Sequence, residues 1–131
     1  MADKIQFDLV APERLLLSQP VDMVTIPGSE GYMGVMPGHM ALVSTLRAGM
    51  IDMKDNGVDT RFFIRGGFAE INATQVTVLA EEAIPMTELD LAVLDQRIKD
   101  AQEDEIAAKT DAERLKAAQL VDDLKLVRAA F

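Results

Sequence analysis

Apolar and polar residues alternate along the first part of the chain. Ile5, Phe7 and Leu9 are separated by Gln6 and Asp8, which is a period of two. This period places successive side chains on opposite faces of an extended backbone, so it predicts half-buried β-strands. Runs of similar character occupy residues 21–26, 31–36, 41–46, 50–54, 60–65, 68–72 and 76–80.

Turn residues separate these runs at intervals of about 8–12 residues, which is typical of an all-β sandwich or barrel. The clearest turn is Asn56-Gly57. Both central residues of a type I′ turn have positive φ, which Asn and Gly tolerate. We therefore expect a hairpin that joins strand 50–54 to strand 58–65.

The pattern changes near Pro85. All eight glycines and all five prolines lie in residues 1–85, whereas residues 86–131 are rich in good helix formers. Apolar residues in this tail recur at spacings of three and four, as on one face of a helix. The first stripe contains Leu91, Leu94, Ile98 and Ala101, and the second contains Ala117, Leu120, Leu124, Val127 and Phe131.

Two capping signals divide the tail. Thr87 is followed three residues later by Asp90, and Thr110 is followed three residues later by Glu113. These pairs predict helices that begin near residues 88 and 111. Each apolar stripe alone would be exposed to water, so the helices are expected to pack as an antiparallel hairpin. The predicted fold is α+β, with a β domain at 1–86 and a helical hairpin at 87–131.

The composition of the chain limits the functions that it can have. A chain of 131 residues that is 49% hydrophobic has room for one folded domain and a small appendage. The net charge of −9 argues against nucleic acid as a partner. The first residues contain charges and no long apolar run, so neither a secretory signal nor a membrane span is expected.

No catalytic, metal or cofactor site is expected. The chain has no cysteine and a single histidine, His39, so thiolate chemistry and the usual zinc ligand sets are excluded. Gly28, Gly31 and Gly34 are not followed by the lysine or helix start of a phosphate loop. We interpret them as positions that need an unusual backbone.

Residues 28–42, from Gly28 through Pro37 to Leu42, closely resemble the signature of the epsilon subunit of bacterial-type rotary (F-type) ATP synthases. Further similar segments make the resemblance nearly continuous along the chain: 46–51, 65–71, 76–80 and 83–84. It implies an antiparallel β-sandwich of about ten strands followed by the two-helix hairpin. It also implies a non-catalytic central-stalk subunit that couples rotation to ATP synthesis.

The resemblance further implies two docking sites. Glu30, Gly31 and Tyr32 would face the polar loops of the c-ring, with Tyr32 where family members commonly have an acidic residue. The gamma subunit would contact the site formed by His39, Met40 and Ala41. The chain would then be peripheral to the inner (plasma) membrane, on its cytoplasmic face.

In the family, the tail sometimes binds ATP through Leu-Asp-x-x-Arg. Here Val93 stands where Leu89-Asp90 requires the arginine, and Arg97 comes one residue too early after Leu94-Asp95. Tight ATP binding is therefore not expected.

In many relatives the tail also inhibits ATP hydrolysis through the alpha/beta catalytic subunits, often by means of a basic second helix. Here four basic residues oppose four acidic ones, which weakens that hypothesis; they are Arg114, Lys116, Lys125 and Arg128 against Asp111, Glu113, Asp122 and Asp123. An ATP-sensing module and a free-standing adaptor are the alternative functions.

Overall fold

The computed structural model describes residues 3–130, and the chain divides between Pro85 and Met86 into two compact units. The first unit contains ten strands. Their bounds are β1 Ile5–Ala11, β2 Arg14–Val21, β3 Met23–Gly28, β4 Gly31–Val35, β5 Leu42–Thr45, β6 Gly49–Asp55, β7 Val58–Ile64, β8 Gly67–Ile71, β9 Gln75–Ala80 and β10 Ala83–Pro85. The second unit contains a 3₁₀ turn, Met86–Glu88, and the helices α1 Leu91–Ala107 and α2 Asp111–Ala129.

The ten strands form two five-stranded sheets. The strand order is β2-β1-β9-β8-β5 in the first sheet and β10-β7-β6-β3-β4 in the second. The predicted antiparallel β-sandwich is confirmed, with one exception among the described strands: β1 and β9 are parallel. A parallel pair needs a long crossover, and here the strands between β1 and β9 provide it.

Strand β2 was not predicted from the residue pattern. Leu15, Leu16 and Leu17 form a continuous apolar run. In the structure, Leu17 pairs with Leu9 and Leu15 pairs with Val10, so Leu16 has no partner on β1 and forms a β-bulge. Such a bulge hides the period of two. Pro20 further obscured the strand, but β2 lies at a sheet edge, where proline is tolerated.

The inward faces of the sheets form one apolar core. Ile5, Phe7 and Leu9 on β1 are fully buried, together with Val76 and Val78 on the adjacent β9. The alternation in the sequence therefore reports the buried face correctly. The predicted hairpin is also confirmed, since Asn56 and Gly57 have φ values of 52° and 78° and connect β6 to β7.

The first helix begins later than predicted. Asp90 is its N-cap and accepts a hydrogen bond of 2.8 Å from the backbone N–H of Val93. The prediction that Thr87 caps this helix is wrong, because Thr87 lies inside the 3₁₀ turn closed by Leu89 N and Met86 O. Leu91, the first residue of the predicted apolar stripe, is exposed.

The second helix begins as predicted. Thr110 is the N-cap and accepts from Glu113 N at 3.1 Å, while the Glu113 carboxylate accepts from Lys109 N. The buried side chains of the two helices include Leu94, Ala101, Val121, Leu124 and Val127. Arg128 Nε also donates to Asp95 Oδ1 at 2.8 Å, which links α2 to α1. Phe131, the last residue of the predicted stripe, lies outside the described residues.

Neither helix within residues 3–130 combines the length and the apolar character required to cross a bilayer.

A polar network covers part of the outer face of the first sheet. The Asp8 carboxylate accepts hydrogen bonds from Ser18 Oγ at 2.6 Å, Gln6 Nε2 at 3.1 Å and Gln75 Nε2 at 2.9 Å. These bonds, that of Ser18 foremost, lower the pKa of Asp8 because they stabilise its ionised form. The network joins the first, second and ninth strands.

Asp8→Asn should make the stability of the protein less dependent on pH. Because the folded pKa of Asp8 is below its unfolded value of about 3.9, the carboxylate stabilises the fold above that value and loses its effect as pH falls through the folded pKa. Urea denaturation should therefore show a loss of unfolding free energy at neutral pH that shrinks in acid. Glu70→Gln, a control at an exposed carboxylate on the same face, should show little change, and an equal loss at all pH values for Asp8→Asn would contradict the prediction.

Candidate functional site

The segment Glu30 to Tyr32 belongs to the hairpin between β3 and β4. Gly28 pairs with Gly31, so Ser29 and Glu30 form the tip of a two-residue turn. Gly31 has φ of 134°, and a Cβ on Gly28 would lie 2.9 Å from the Gly31 carbonyl oxygen, so the turn requires both glycines. Ser29 N also donates to Thr45 O at 3.0 Å. The exposed Glu30 carboxylate is thus presented by a well-anchored turn.

Tyr32 reaches across β3 to β6. Its hydroxyl accepts a hydrogen bond of 3.2 Å from the backbone N–H of Met50. Tyr32 pairs with Pro27 on β3, the strand between β4 and β6. A Cβ on Gly49 would lie 2.8 Å from the Tyr32 hydroxyl oxygen and 3.0 Å from Pro27 Cβ. Gly49 therefore makes room for the phenol ring. Tyr32 braces the hairpin and still leaves 54% of its surface exposed.

His39 lies in a second turn, between β4 and β5. The turn is closed by a hydrogen bond from His39 N to Met36 O at 3.2 Å, and Gly38 N donates to Ala73 O at 2.8 Å. His39 Nδ1 lies 2.7 Å from Met40 O and donates to it, because a carbonyl oxygen only accepts. The half-buried imidazole therefore bonds within its own turn.

The two predicted contact sets lie at opposite ends of one strand. Glu30 and Gly31 are at the start of β4, whereas His39, Met40 and Ala41 follow its end. At a rise of about 3.3 Å per residue, the four steps from Gly31 to Val35 span roughly 13 Å. The structure therefore offers two distinct surfaces rather than one combined site.

An apolar surface accompanies the second set. We call it the edge patch, and it consists of Met36, Met40 and Val43. Met40 is 81% exposed and Val43 is 68% exposed. Val43 lies on β5, the edge strand of the first sheet. Clustered exposed apolar side chains of this kind mark interaction sites.

A second apolar feature was missed by the sequence analysis. On the outer face of the first sheet, cross-strand pairing brings together Leu15, Val10, Leu79 and Phe68, which we call the outer row. Phe68 pairs in turn with Thr45 on β5, so Val43 of the edge patch lies on the same face. The available signal was the apolar character of Val10 and Leu79 at positions where alternation requires a polar residue.

The geometry offers little for catalysis or cofactor binding. Within residues 3–130, histidines and carboxylates form no group of three suited to a metal ion. The aspartates of the two incomplete ATP motifs are engaged elsewhere, since Asp90 caps α1 and Asp95 pairs with Arg128.

Residues 4–86 match the beta-sandwich domain of the ATP synthase delta/epsilon chain. The chain belongs to the ATP synthase delta/epsilon family. The resemblance noted in the sequence is therefore confirmed, and with it the expectation of a non-catalytic subunit.

Relatives of the same family match along their whole length. The ATP synthase epsilon chain of Parvibaculum lavamentivorans is 50% identical over 129 residues, which cover 98% of each chain. The ATP synthase epsilon chain of Maricaulis maris is 48% identical over 129 residues, covering 98% of this chain and 97% of that one. This delta/epsilon family member therefore has the extent of an epsilon chain.

Solved structures show the same architecture. A chain of the Euglena gracilis mitochondrial ATP synthase, from the OSCP/F1/c-ring structure in rotational state 1, superposes with a TM-score of 0.81 at 28% identity, covering 99% of this chain and 82% of that chain. A chain of the Tetrahymena thermophila central stalk/c-ring structure has a TM-score of 0.71 at 16% identity, covering 95% and 96%, and shows the fold alone.

Removing the Tyr32 hydroxyl should weaken the brace. Tyr32→Phe keeps the ring but leaves the Met50 N–H without its acceptor, which costs about 0.5–1.5 kcal/mol of unfolding free energy. Hydrogen exchange at the Met50 amide should accelerate, while exchange at the buried Val78 amide should change little. Unchanged exchange at Met50 would show that the hydroxyl does not protect this amide.

Proposed function

We propose that the chain transmits rotation in ATP synthase by holding two partners on its β-sandwich. The gamma subunit docks on His39, Met40 and Ala41 together with the edge patch. The polar loops of the c-ring contact Glu30, Gly31 and Tyr32. The observation that carries this proposal is the presence of two different turns at opposite ends of β4, one with the exposed apolar side chain of Met40 and the other with the exposed Glu30 carboxylate.

The gamma surface is supported by its chemistry. The edge patch supplies exposed apolar side chains next to the turn of His39. Val43 of this patch pairs with Glu70, in a polar cross-strand row that also contains Thr77 and Asp8. Apolar contacts bordered by polar groups are the usual anatomy of a protein interface. Relatives of known structure come from F1/c-ring assemblies, which supports partners of this kind.

The ring surface is supported by its rigidity and charge. Glu30 is exposed at the tip of a turn that is tied to β5 through Ser29 and to β6 through Tyr32. A carboxylate held in this way favours a partner that offers cations or hydrogen-bond donors. Because Tyr32 is not acidic, Glu30 supplies the negative charge of this surface by itself.

The helical hairpin, residues 87–131, is proposed as a regulatory tail that contacts the alpha/beta catalytic subunits. Five large apolar side chains are exposed within its described residues 87–130, and Ile106 and Leu115 flank the connection between the helices; the other three are Leu91, Val93 and Leu126. Contact with another subunit would bury these side chains in an assembled complex. The even charge balance of α2 disfavours strong inhibition of hydrolysis, and the engagement of Asp90 and Asp95 disfavours ATP sensing.

We also propose that the sandwich, residues 1–86, works as a separate docking domain, and that its partners hold it at the cytoplasmic face of the inner (plasma) membrane. The division of the chain at Pro85 and Met86 supports this separation. A free-standing adaptor remains the alternative function, and it would be favoured if the chain copurified without gamma or c subunits.

Met40→Asp should weaken association with gamma by at least about tenfold, because an unpaired charge would enter a desolvated contact. Val58→Asp is a matched control, since Val58 is 64% exposed but lies on β7 of the other sheet. Calorimetric titration of each variant with the gamma subunit provides the measurement. Equal affinity of Met40→Asp and the wild type would remove Met40 from the interface.

Deleting residues 88–131 should leave the sandwich folded and its association with gamma intact, because the core residues from Ile5 to Ala80 all lie in the first unit. Circular dichroism and the same titration would measure both properties. Loss of cooperative unfolding after truncation would contradict the proposed division into domains. Comparing ATP hydrolysis by the complex with and without this segment would measure any restraint by the tail.

A further inference from the structure

Among residues 3–130, two methionines are more exposed than the other methionines. Met36 is 57% exposed and Met40 is 81% exposed, whereas Met53 is 5% exposed and Met33 packs against the sandwich core. Both exposed thioethers belong to the edge patch. Reaction of a methionine with dissolved oxidants requires access to its sulfur, so these two side chains are the most available of the methionines in residues 3–130.

The backbone holds both methionines at a fixed turn. Met36 O accepts from His39 N, and Met40 O accepts from the His39 imidazole at 2.7 Å. Gly38 N further ties the turn to Ala73 O. Because these bonds involve backbone atoms and His39, a chemical change at either sulfur leaves the turn itself in place. The effect of such a change is therefore confined to the exposed surface.

We propose that Met36 and Met40 form an oxidation-sensitive site that weakens docking when hydrogen peroxide converts their thioethers to sulfoxides. The sulfur lone pair attacks one peroxide oxygen, the O–O bond breaks, and the displaced oxygen leaves as water after proton transfer. Each sulfur is oxidised by two electrons and each peroxide is reduced by two. This inference rests on the proposed function, since the edge patch must be a docking surface for oxidation to matter.

The sulfoxide changes the character of the surface. A flexible apolar side chain becomes polar and chiral, and its oxygen needs hydrogen-bond donors. In an apolar contact that oxygen would be desolvated without a partner, which opposes association. Methionine sulfoxide reductases reverse the reaction, so the weakening is reversible.

The first measurement is the order of oxidation. The full chain is treated with dilute hydrogen peroxide, and peptide mass spectrometry follows the sulfoxide at each methionine. Met36 and Met40 should oxidise at least about tenfold faster than Met53, which serves as a control within the same chain. Comparable rates at all three positions would overturn the proposal.

The second measurement is association with the purified gamma subunit before and after oxidation. Oxidised wild-type chain should bind about tenfold more weakly, and treatment with methionine sulfoxide reductases A and B should restore binding. The Met36→Leu/Met40→Leu double variant keeps the apolar surface without reactive sulfur, so peroxide should leave its affinity unchanged. An equal loss in this variant would overturn the proposal, because the cause would lie elsewhere.

The untreated chain separates the two hypotheses. If untreated wild-type chain binds gamma but the oxidised chain binds equally well, the oxidation site is wrong and the proposed function stands. If untreated chain does not bind gamma, the proposed function fails, and the oxidation site fails with it.

Discussion

The fold depends on burying one face of each of two sheets. Ile5, Phe7 and Leu9 at the centre of the first sheet point inward and are inaccessible to water. Burial of apolar area is the dominant favourable contribution to folding, and it fixes the register of every strand because a shift by one residue would turn the wrong side chains inward. The outer faces carry no such obligation, so they are free to bear polar networks or docking surfaces.

Much of this architecture follows from local pattern. Alternation identifies the central strands, and Asn56-Gly57 identifies a hairpin, because each signal is a property of a few neighbouring residues. The two errors of the prediction, at β2 and at the start of α1, also have local physical causes. A bulge conceals β2, and Thr87 satisfies the motif of a helix cap although Asp90 is the residue with extended backbone at the helix start. Thr87 and Asp90 are both possible cap residues, and the choice between them depends on where the chain leaves the sheet.

The candidate site was only partly accessible to sequence reasoning. The turns around Glu30 and His39 are identified by glycine and proline, and the family resemblance assigns partners to them. The outer row could not be assembled from the sequence, because Leu15, Val10, Leu79 and Phe68 come from four strands whose order is a property of the whole sheet. The link from Tyr32 to Met50 is similarly a consequence of tertiary structure, since it bridges strands that are not hydrogen-bonded neighbours.

The position of β1 has a consequence for how the protein acquires its structure. This strand is synthesised well before its parallel neighbour β9, which ends only at Ala80. Closing so long a segment costs chain entropy before any contact compensates it, and such topologies fold slowly. Phe7 and Leu9 gain their β9 partners Val76 and Val78 only after that strand has been made. Completion of the first sheet is therefore a late event in the formation of the sandwich.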